Sequence, residues 1–171
     1  MPFEVWTIYV VTVLAFMSTP GPSQLLILSN SAAHGFRRSL STICGDLSAN
    51  FFQMLAAGLG LAVILSTFAN ALTVIKWLGA IYLLWLGIRM IRNATSAKAK
   101  YYDAQKSSSL KSLWLQGFLT SAANPKAIVF FATLFPQFIN PNLEFTTQFF
   151  ILSATYIVID GIFLSVYGMS S

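Results

Sequence analysis

Charged residues are scarce in this sequence. Only 9% of its 171 residues are Asp, Glu, Lys or Arg, whereas soluble domains carry about 25%. Hydrophobic residues make up 56%, and the mean hydropathy is +0.71. A water-soluble fold of this length would need a far more charged surface, so that class is excluded. The composition instead indicates an all-α integral membrane protein.

Cysteine is almost absent as well. Cys44 is the only one, which excludes an intramolecular disulfide and a CxxC metal or redox site. The apolar runs also lack a His-Glu-x-x-His pair, a Gly-x-Ser-x-Gly elbow and clustered histidines. We therefore expect no enzyme, no catalytic residue, no metal site and no cofactor. The net charge of +5 comes from residues in loops and not from a basic face, which argues against nucleic-acid binding.

What the sequence has instead is long apolar runs. Five of them approach the roughly 20 residues that cross a bilayer. They cover residues 5–28, 42–65, 67–91, 113–135 and 146–168. A Ser-, Lys- and Ala-rich linker, residues 95–112, divides the chain into a first part, 1–94, with three spans and a second part, 113–171, with two.

The positions of the cations predict the orientation. Eight of the ten Lys and Arg residues lie in or beside the first loop and the linker. They are Arg37, Arg38, Arg89, Arg92, Lys98, Lys100, Lys106 and Lys111. Because cytoplasmic loops carry an excess of Lys and Arg, we predict that this side is cytoplasmic and that the amino terminus is external.

Prolines interrupt spans one and four near their middle. The two interruptions are Ser18-Thr19-Pro20-Gly21-Pro22 and Ala123-Asn124-Pro125-Lys126. Proline lacks the N–H that a helix interior requires and disfavours a helical conformation in the residue before it, so both helices should break. Thr19 and Asn124 are suitable N-caps, with Pro20 and Pro125 as the first residues of two new half-helices.

Two breaks at matched depth predict an inverted repeat. Three spans are an odd number, so a second copy that begins after the linker enters the membrane upside down. In secondary transporters of this plan, paired interrupted helices mark the substrate site. Simple proline kinks in bundle helices are the alternative. The predicted substrate-binding residues are Thr19, Pro20, Gly21, Pro22, Asn124, Pro125 and Lys126.

Three ionisable residues lie within spans, namely Asp46, Lys126 and Asp160. Each costs about 2.5–3.5 kcal/mol at a helix centre, so partners or water must offset the cost. Lys126 and the half-helix N-termini suit a substrate carboxylate. Asp160, helped by Asp46, suits an ammonium group or an exchangeable proton. A fixed structural ion pair between Lys126 and Asp160 is the alternative.

Uncharged polar residues extend from these charges along the same helix faces. Asn50 and Gln53 follow Asp46 at helical spacing, and Tyr156 lies one turn before Asp160. We predict that Asn50, Gln53 and Tyr156 line a polar pathway, although hydrogen bonds between helices would also explain such stripes.

The order of several motifs resembles that of the LysE/RhtB superfamily of amino-acid exporters. The motifs are Thr19-Pro-Gly-Pro22, His34-Gly35-Phe36-Arg37, the run from Lys76 to Gly87, Asn124-Pro-Lys126 and Leu134-Phe-Pro-Gln-Phe138. The RhtB-like branch, which exports homoserine, threonine and homoserine lactone, is the most similar. The resemblance implies a bacterial inner-membrane protein of six helices that exports a neutral amino acid or derivative, by proton antiport. In such a membrane, the external amino terminus that the cations predict would be periplasmic.

The sequence departs from that family in two places. Ala49 stands where glycine is common after Gly45, and the expected sixth helix does not follow the fifth span. A channel, a non-transporting assembly or regulatory subunit, and an inactive truncated exporter therefore remain alternatives. The expected partners are an amino acid, protons and the lipid bilayer, without nucleic acid, and homo-oligomerisation is left open.

Overall fold

The computed structural model describes residues 1–67 and 109–170, together with Trp77 and Ile81, and of residues 61–67 only the backbone. Within these residues the chain is all-helical, as the sequence predicts. The helices are α1 (Phe3–Met17), α2 (Pro22–His34), α3 (Phe36–Thr67), α4 (Leu110–Ala122), α5 (Pro125–Val129) and α6 (Phe145–Met169). A π-helical turn, Phe130–Leu134, and a 3₁₀ turn, Phe135–Phe138, continue α5.

Parts of the predicted topology lie outside the described residues. They include nearly all of the third span, 67–91, most of the linker and the cations between Arg89 and Lys106. The orientation and the division into two inverted halves therefore stay predictions. Helix α4 begins at Leu110, where the apolar periodicity of the sequence resumes, so its first turn overlaps the last residues of the predicted linker. Ser109 makes this early start favourable, since its side chain accepts the N–H of Ser112 as an N-cap.

Two pairs of helices are bent where the prolines lie. The angle is 59° between Phe3–Met17 and Pro22–His34, and 52° between Leu110–Ala122 and Pro125–Phe138. Each pair is long and apolar enough to cross a membrane as one broken span, and Phe145–Met169 is so by itself. Among the described residues, up to three spans therefore pass by length and composition.

The second break agrees with its prediction residue by residue. Asn124 is the N-cap and Pro125 the first residue of α5. The Asn124 Oδ1 atom accepts the backbone N–H of Lys126 at 3.1 Å. The cap fixes the direction in which α5 leaves the break, because it supplies the hydrogen bond that the first turn of a helix lacks.

The first break corrects its prediction by two residues. We expected Thr19 as the cap and Pro20 as the first helical residue, but α2 begins at Pro22 with Gly21 at the cap. Pro22 disfavours a helical conformation in the residue before it, and Gly21 is extended, with φ −137° and ψ −173°. The Gly21 N–H is bound by the Gln24 side chain at 2.9 Å, so the cap bond comes from inside α2.

Helices α3 and α4 cross with their backbones in contact. A Cβ atom on Gly45 would lie 1.9 Å from the carbonyl oxygen of Trp114, and one on Gly117 would lie 2.0 Å from that of Thr42. Ala49 continues the small-residue face of α3 and is 1% exposed. Small residues allow such an approach between membrane helices. The crossing holds the polar face of α3 against the end of α4.

Two apolar clusters pack on either side of this polar face. The larger one is an aromatic core on α1, α6 and the helical turns that follow α5, with Phe130, Phe131 and Phe149 among its buried members. The smaller one consists of Ile27, Ile43 and Leu164, from α2, α3 and α6. The buried polar residues lie between the two clusters.

The close crossing predicts a stability effect. We expect Gly117→Ala and Gly45→Ala each to lower the free energy of unfolding by about 1–3 kcal/mol, because the new methyl group would force the helices apart. Thermal unfolding in detergent measures this. Gly60→Ala is the matched control on α3, since a Cβ there meets no described residue within 4 Å. Equal melting temperatures for all three variants would contradict the crossing.

Candidate functional site

A small cavity lies where the two helix breaks meet. Its volume is about 20 Å³, which is room for about one water molecule. Residues from all six helices line it: Phe16, Met17, Ser23, Gln24, Asp46, Asn50, Ser121, Asn124, Lys126, Ala127, Tyr156 and Asp160. An amino acid does not fit in this volume unless the surrounding helices move apart.

Lys126 forms the cationic wall of the cavity. It is 8% exposed, and its Nζ atom donates to the carbonyl oxygen of Phe16 at 2.7 Å and to that of Thr19. The ammonium group also lies 4.3 Å from the centre of the Phe16 ring. Carbonyl groups at the end of a helix lack intrahelical partners and carry partial negative charge, so they attract a cation. Lys126 thereby joins the end of α1 to the start of α5.

The alternative of a fixed Lys126–Asp160 ion pair does not describe this conformation. Within residues 1–67 and 109–170, no ion pair joins the two side chains. Lys126 donates to the two carbonyl groups named above, and Asp160 accepts from Asn50. The broken end of α1 offers Lys126 carbonyl acceptors, and these satisfy it without a carboxylate.

Asp46 and Asp160 form the acidic wall, and Asn50 joins them. The Asn50 Nδ2 atom donates to Asp46 Oδ2 at 3.0 Å and to Asp160 Oδ2 at 2.7 Å. The Asn50 Oδ1 atom accepts from the Ser121 hydroxyl at 2.8 Å. All four residues are at most 3% exposed. The Asp46 Oδ1 atom is buried without a hydrogen-bond partner among the described residues, so the acidic wall keeps a free acceptor.

Gln53 lies beside the cavity and not in its wall. Its Nε2 atom donates to the carbonyl oxygens of Ser121 and Ala122 at 3.2 and 3.3 Å. These carbonyls lie at the end of α4. Gln53 therefore donates to carbonyls at the second break, as Lys126 does at the first. Its Oε1 atom has no partner among the described residues.

The proline residues shape the backbone and do not line the cavity. Pro20, Pro22 and Pro125 are exposed. Gly21 packs against the site, because a Cβ there would lie 3.7 Å from the Lys126 side chain. Thr19 reaches the site through its carbonyl oxygen.

The structure brings six of the predicted residues into the cavity wall. They are Asp46, Asn50, Asn124, Lys126, Tyr156 and Asp160. Tyr156 is buried and its ring lies 4.7 Å from that of Phe131, centre to centre, so it connects the cavity with the aromatic core.

Sequence reasoning missed the other six lining residues, among them Ser23, Gln24 and Ser121. Their positions relative to the breaks were the available signal. Ser23 and Gln24 lie in the first turn of α2, where backbone N–H groups lack intrahelical partners, and Ser121 lies in the last turn of α4. A helix break leaves backbone groups without intrahelical partners, and polar side chains next to the break can form hydrogen bonds with them.

The whole chain is similar to known membrane proteins. The family model described as LysE type translocator matches residues 14–171. An uncharacterized membrane protein from Vibrio cholerae is 35% identical over 167 residues, which cover 98% of this chain and 80% of that protein. The homoserine/homoserine lactone efflux protein of Salmonella typhimurium is 33% identical over 168 residues, covering 98% and 81%. That of Salmonella typhi is 34% identical over the same length. No solved structure matches.

These matches extend well beyond the motifs that carry the resemblance. They include α2, α3, α4 and α6, which supply the walls of the cavity. The resemblance inferred from the motifs is thereby confirmed, and the chain belongs to the LysE type translocator family.

Proposed function

We propose that this protein exports a neutral amino acid or a close derivative across the bacterial inner membrane in exchange for protons. Homoserine, homoserine lactone and threonine are the proposed substrates. One observation carries the proposal, namely the cavity between two helix breaks with Lys126 on one wall and Asp46 and Asp160 on the other. The names of the two Salmonella relatives support the class of substrate.

The two walls suit the two ends of such a molecule. The ammonium group would bind the acidic wall, where the Asp46 Oδ1 atom has no other partner among the described residues. The carboxylate or lactone carbonyl would bind Lys126 and the N–H groups in the first turn of α2, since helix N-termini attract negative charge. Because the cavity has room for only about one water, the helices must separate to admit the substrate, as alternating access requires.

The Asp46–Asn50–Asp160 triad supplies a way to couple export to protons. Asn50 donates one hydrogen bond to each carboxyl group, and each carboxyl keeps a second oxygen for a proton or an ammonium group. Two carboxylates this close together disfavour both being ionised without a cation. A bound ammonium group and a proton would therefore compete for the same pair. Substrate release would then follow proton uptake, which is antiport.

This coupling predicts the behaviour of Asp160→Asn. The change keeps an acceptor for Asn50 but removes the exchangeable proton. In reconstituted vesicles, we expect the variant to exchange substrate across the membrane but to lose at least tenfold in accumulation driven by a pH gradient. Ser165→Ala is the control on α6, because its hydroxyl donates to the local Gly161 carbonyl and Ser165 does not line the cavity. Full gradient-driven accumulation by Asp160→Asn would rule out the coupling role.

A second prediction concerns the break itself. Changing Asn124 and Pro125 together to alanine removes both causes of the break and should extend α4 into α5. We expect efflux to fall at least tenfold while the amount of protein in the membrane stays within about twofold, because a continuous helix would displace Lys126 from its position.

The chain contains a matched control for this pair. Asn140 and Pro141 form the same dipeptide in an exposed connection before α6, and their replacement by alanine should leave efflux nearly unchanged. If the Asn124 and Pro125 double variant exports normally, the break is only a tolerated kink.

A further inference from the structure

A thin apolar layer separates the cavity from one end of the helix bundle. Ile27, Ile43 and Leu164 contact one another and are 0%, 4% and 0% exposed. They come from three different helices and form a cluster separate from the aromatic core. Nothing in the substrate site described above uses them.

The three residues lie at the same level, about one helical turn from the cavity. Ile27 follows Ser23 by four residues and Leu164 follows Asp160 by four, whereas Ile43 precedes Asp46 by three. One turn of an α-helix advances about 5.4 Å. The layer therefore lies directly beneath the acidic wall, toward the end where α3 begins with Arg37 and Arg38.

Polar side chains resume on the far side of the layer. The Asn30 Nδ2 atom donates to Thr42 Oγ1 at 3.0 Å and to Gln116 Oε1 at 3.2 Å. The Ser31 and Ser39 hydroxyl oxygens are 2.5 Å apart. These groups are uncharged and can exchange their mutual hydrogen bonds for bonds to water at small net cost. The layer is thus an apolar constriction between two polar regions.

Among the described residues, the opposite side of the cavity carries more apolar packing. The aromatic core there contains twelve of the described buried residues, compared with three in the thin layer. Opening toward the arginine-bearing end therefore separates fewer apolar contacts between described residues. At that end α6 also packs closely on α2, since a Cβ on Gly168 would lie 3.0 Å from Ser31 Oγ. A small movement of α2 away from α6 would open both the apolar layer and the contact between Gly168 and Ser31.

We propose that Ile27, Ile43 and Leu164 form a hydrophobic gate that closes the substrate site toward the end bearing Arg37 and Arg38. Apolar constrictions of this kind block water and ions by dewetting, and open when their helices separate. The substrate route then runs between α2, α3 and α6. The gate rests on the proposed transport function, because it closes the same site.

Cysteine accessibility tests the gate without measuring transport. In a Cys44→Ser background, Ser23→Cys places a thiol in the cavity wall. Its modification by a small, charged thiosulfonate in nanodiscs reports water access. We expect Ile27→Ser and Leu164→Ser to speed this modification at least tenfold, because a hydroxyl wets the layer. The matched controls are Leu25→Ser and Val166→Ser, on the same helices but 57% and 56% exposed, which should leave the rate unchanged.

A second reporter separates gate opening from unfolding. Ser153 is 2% exposed and does not line the cavity, so Ser153→Cys should stay unreactive in every folded variant. If Ile27→Ser or Leu164→Ser makes the Ser153→Cys thiol reactive, Ile27→Ala and Leu164→Ala take their place, because they add no polar group. We then expect these alanine variants to speed the modification of Ser23→Cys at least tenfold. Equal modification rates at Ser23→Cys in the gate and control variants would overturn the gate. If the rates are equal but the unaltered protein exports amino acids, the gate is wrong and the proposed transport function is retained.

Discussion

The constraint on which the rest of the structure depends is that backbone groups freed by a helix break inside a bilayer must find partners within the protein. Lipid offers no hydrogen bonds, and each unsatisfied group there costs several kcal/mol. At each break, one of the carbonyls accepts a local backbone N–H, from Thr19 to Phe16 and from Asn124 to Ser121, and a long side chain from another helix adds further hydrogen bonds. Lys126 binds carbonyls at the end of α1, and Gln53 binds those at the end of α4.

The same requirement explains why the polar residues of an otherwise apolar chain gather in one place. The broken ends attract Lys126 and Gln53, and the crossing of α3 and α4 at Gly45 and Gly117 brings the polar face of α3 beside them. Asn50 then joins Ser121 on α4 to Asp160 on α6. In the proposed cycle, a substrate carboxylate competes with the carbonyls of α1 for Lys126. Substrate binding would thereby loosen the contact between the two broken helices.

The class of the protein and the existence of the breaks could be predicted from local sequence. Composition and apolar run length identify a helical membrane protein, and a proline within such a run breaks its helix whatever surrounds it. The exact start of α2 was predicted wrongly, because two prolines two residues apart compete for the first helical position. Pro22 prevails, since Gly21 before it is extended.

The connections within the site could not be predicted in this way. Asn50 and Asp160 are 110 residues apart in the sequence, and their contact depends on how α3 and α6 pack. Gly117 gave no signal of its own, because its role exists only opposite Thr42. The pairing of Lys126 with carbonyls, and not with Asp160, likewise depends on where α1 ends. Periodicity identified Asp46 and Asn50 as one polar face but not the residues that this face meets.

The most direct test of the central claim is a crystal structure of the protein with homoserine bound. The account predicts that the amino acid lies between the two helix breaks, with its ammonium group within hydrogen-bond distance of Asp46 or Asp160. Its carboxylate should contact Lys126, whose Nζ atom should have left at least one of the carbonyls of Phe16 and Thr19. Homoserine bound elsewhere, with the cavity no larger and Lys126 still on both carbonyls, would contradict it.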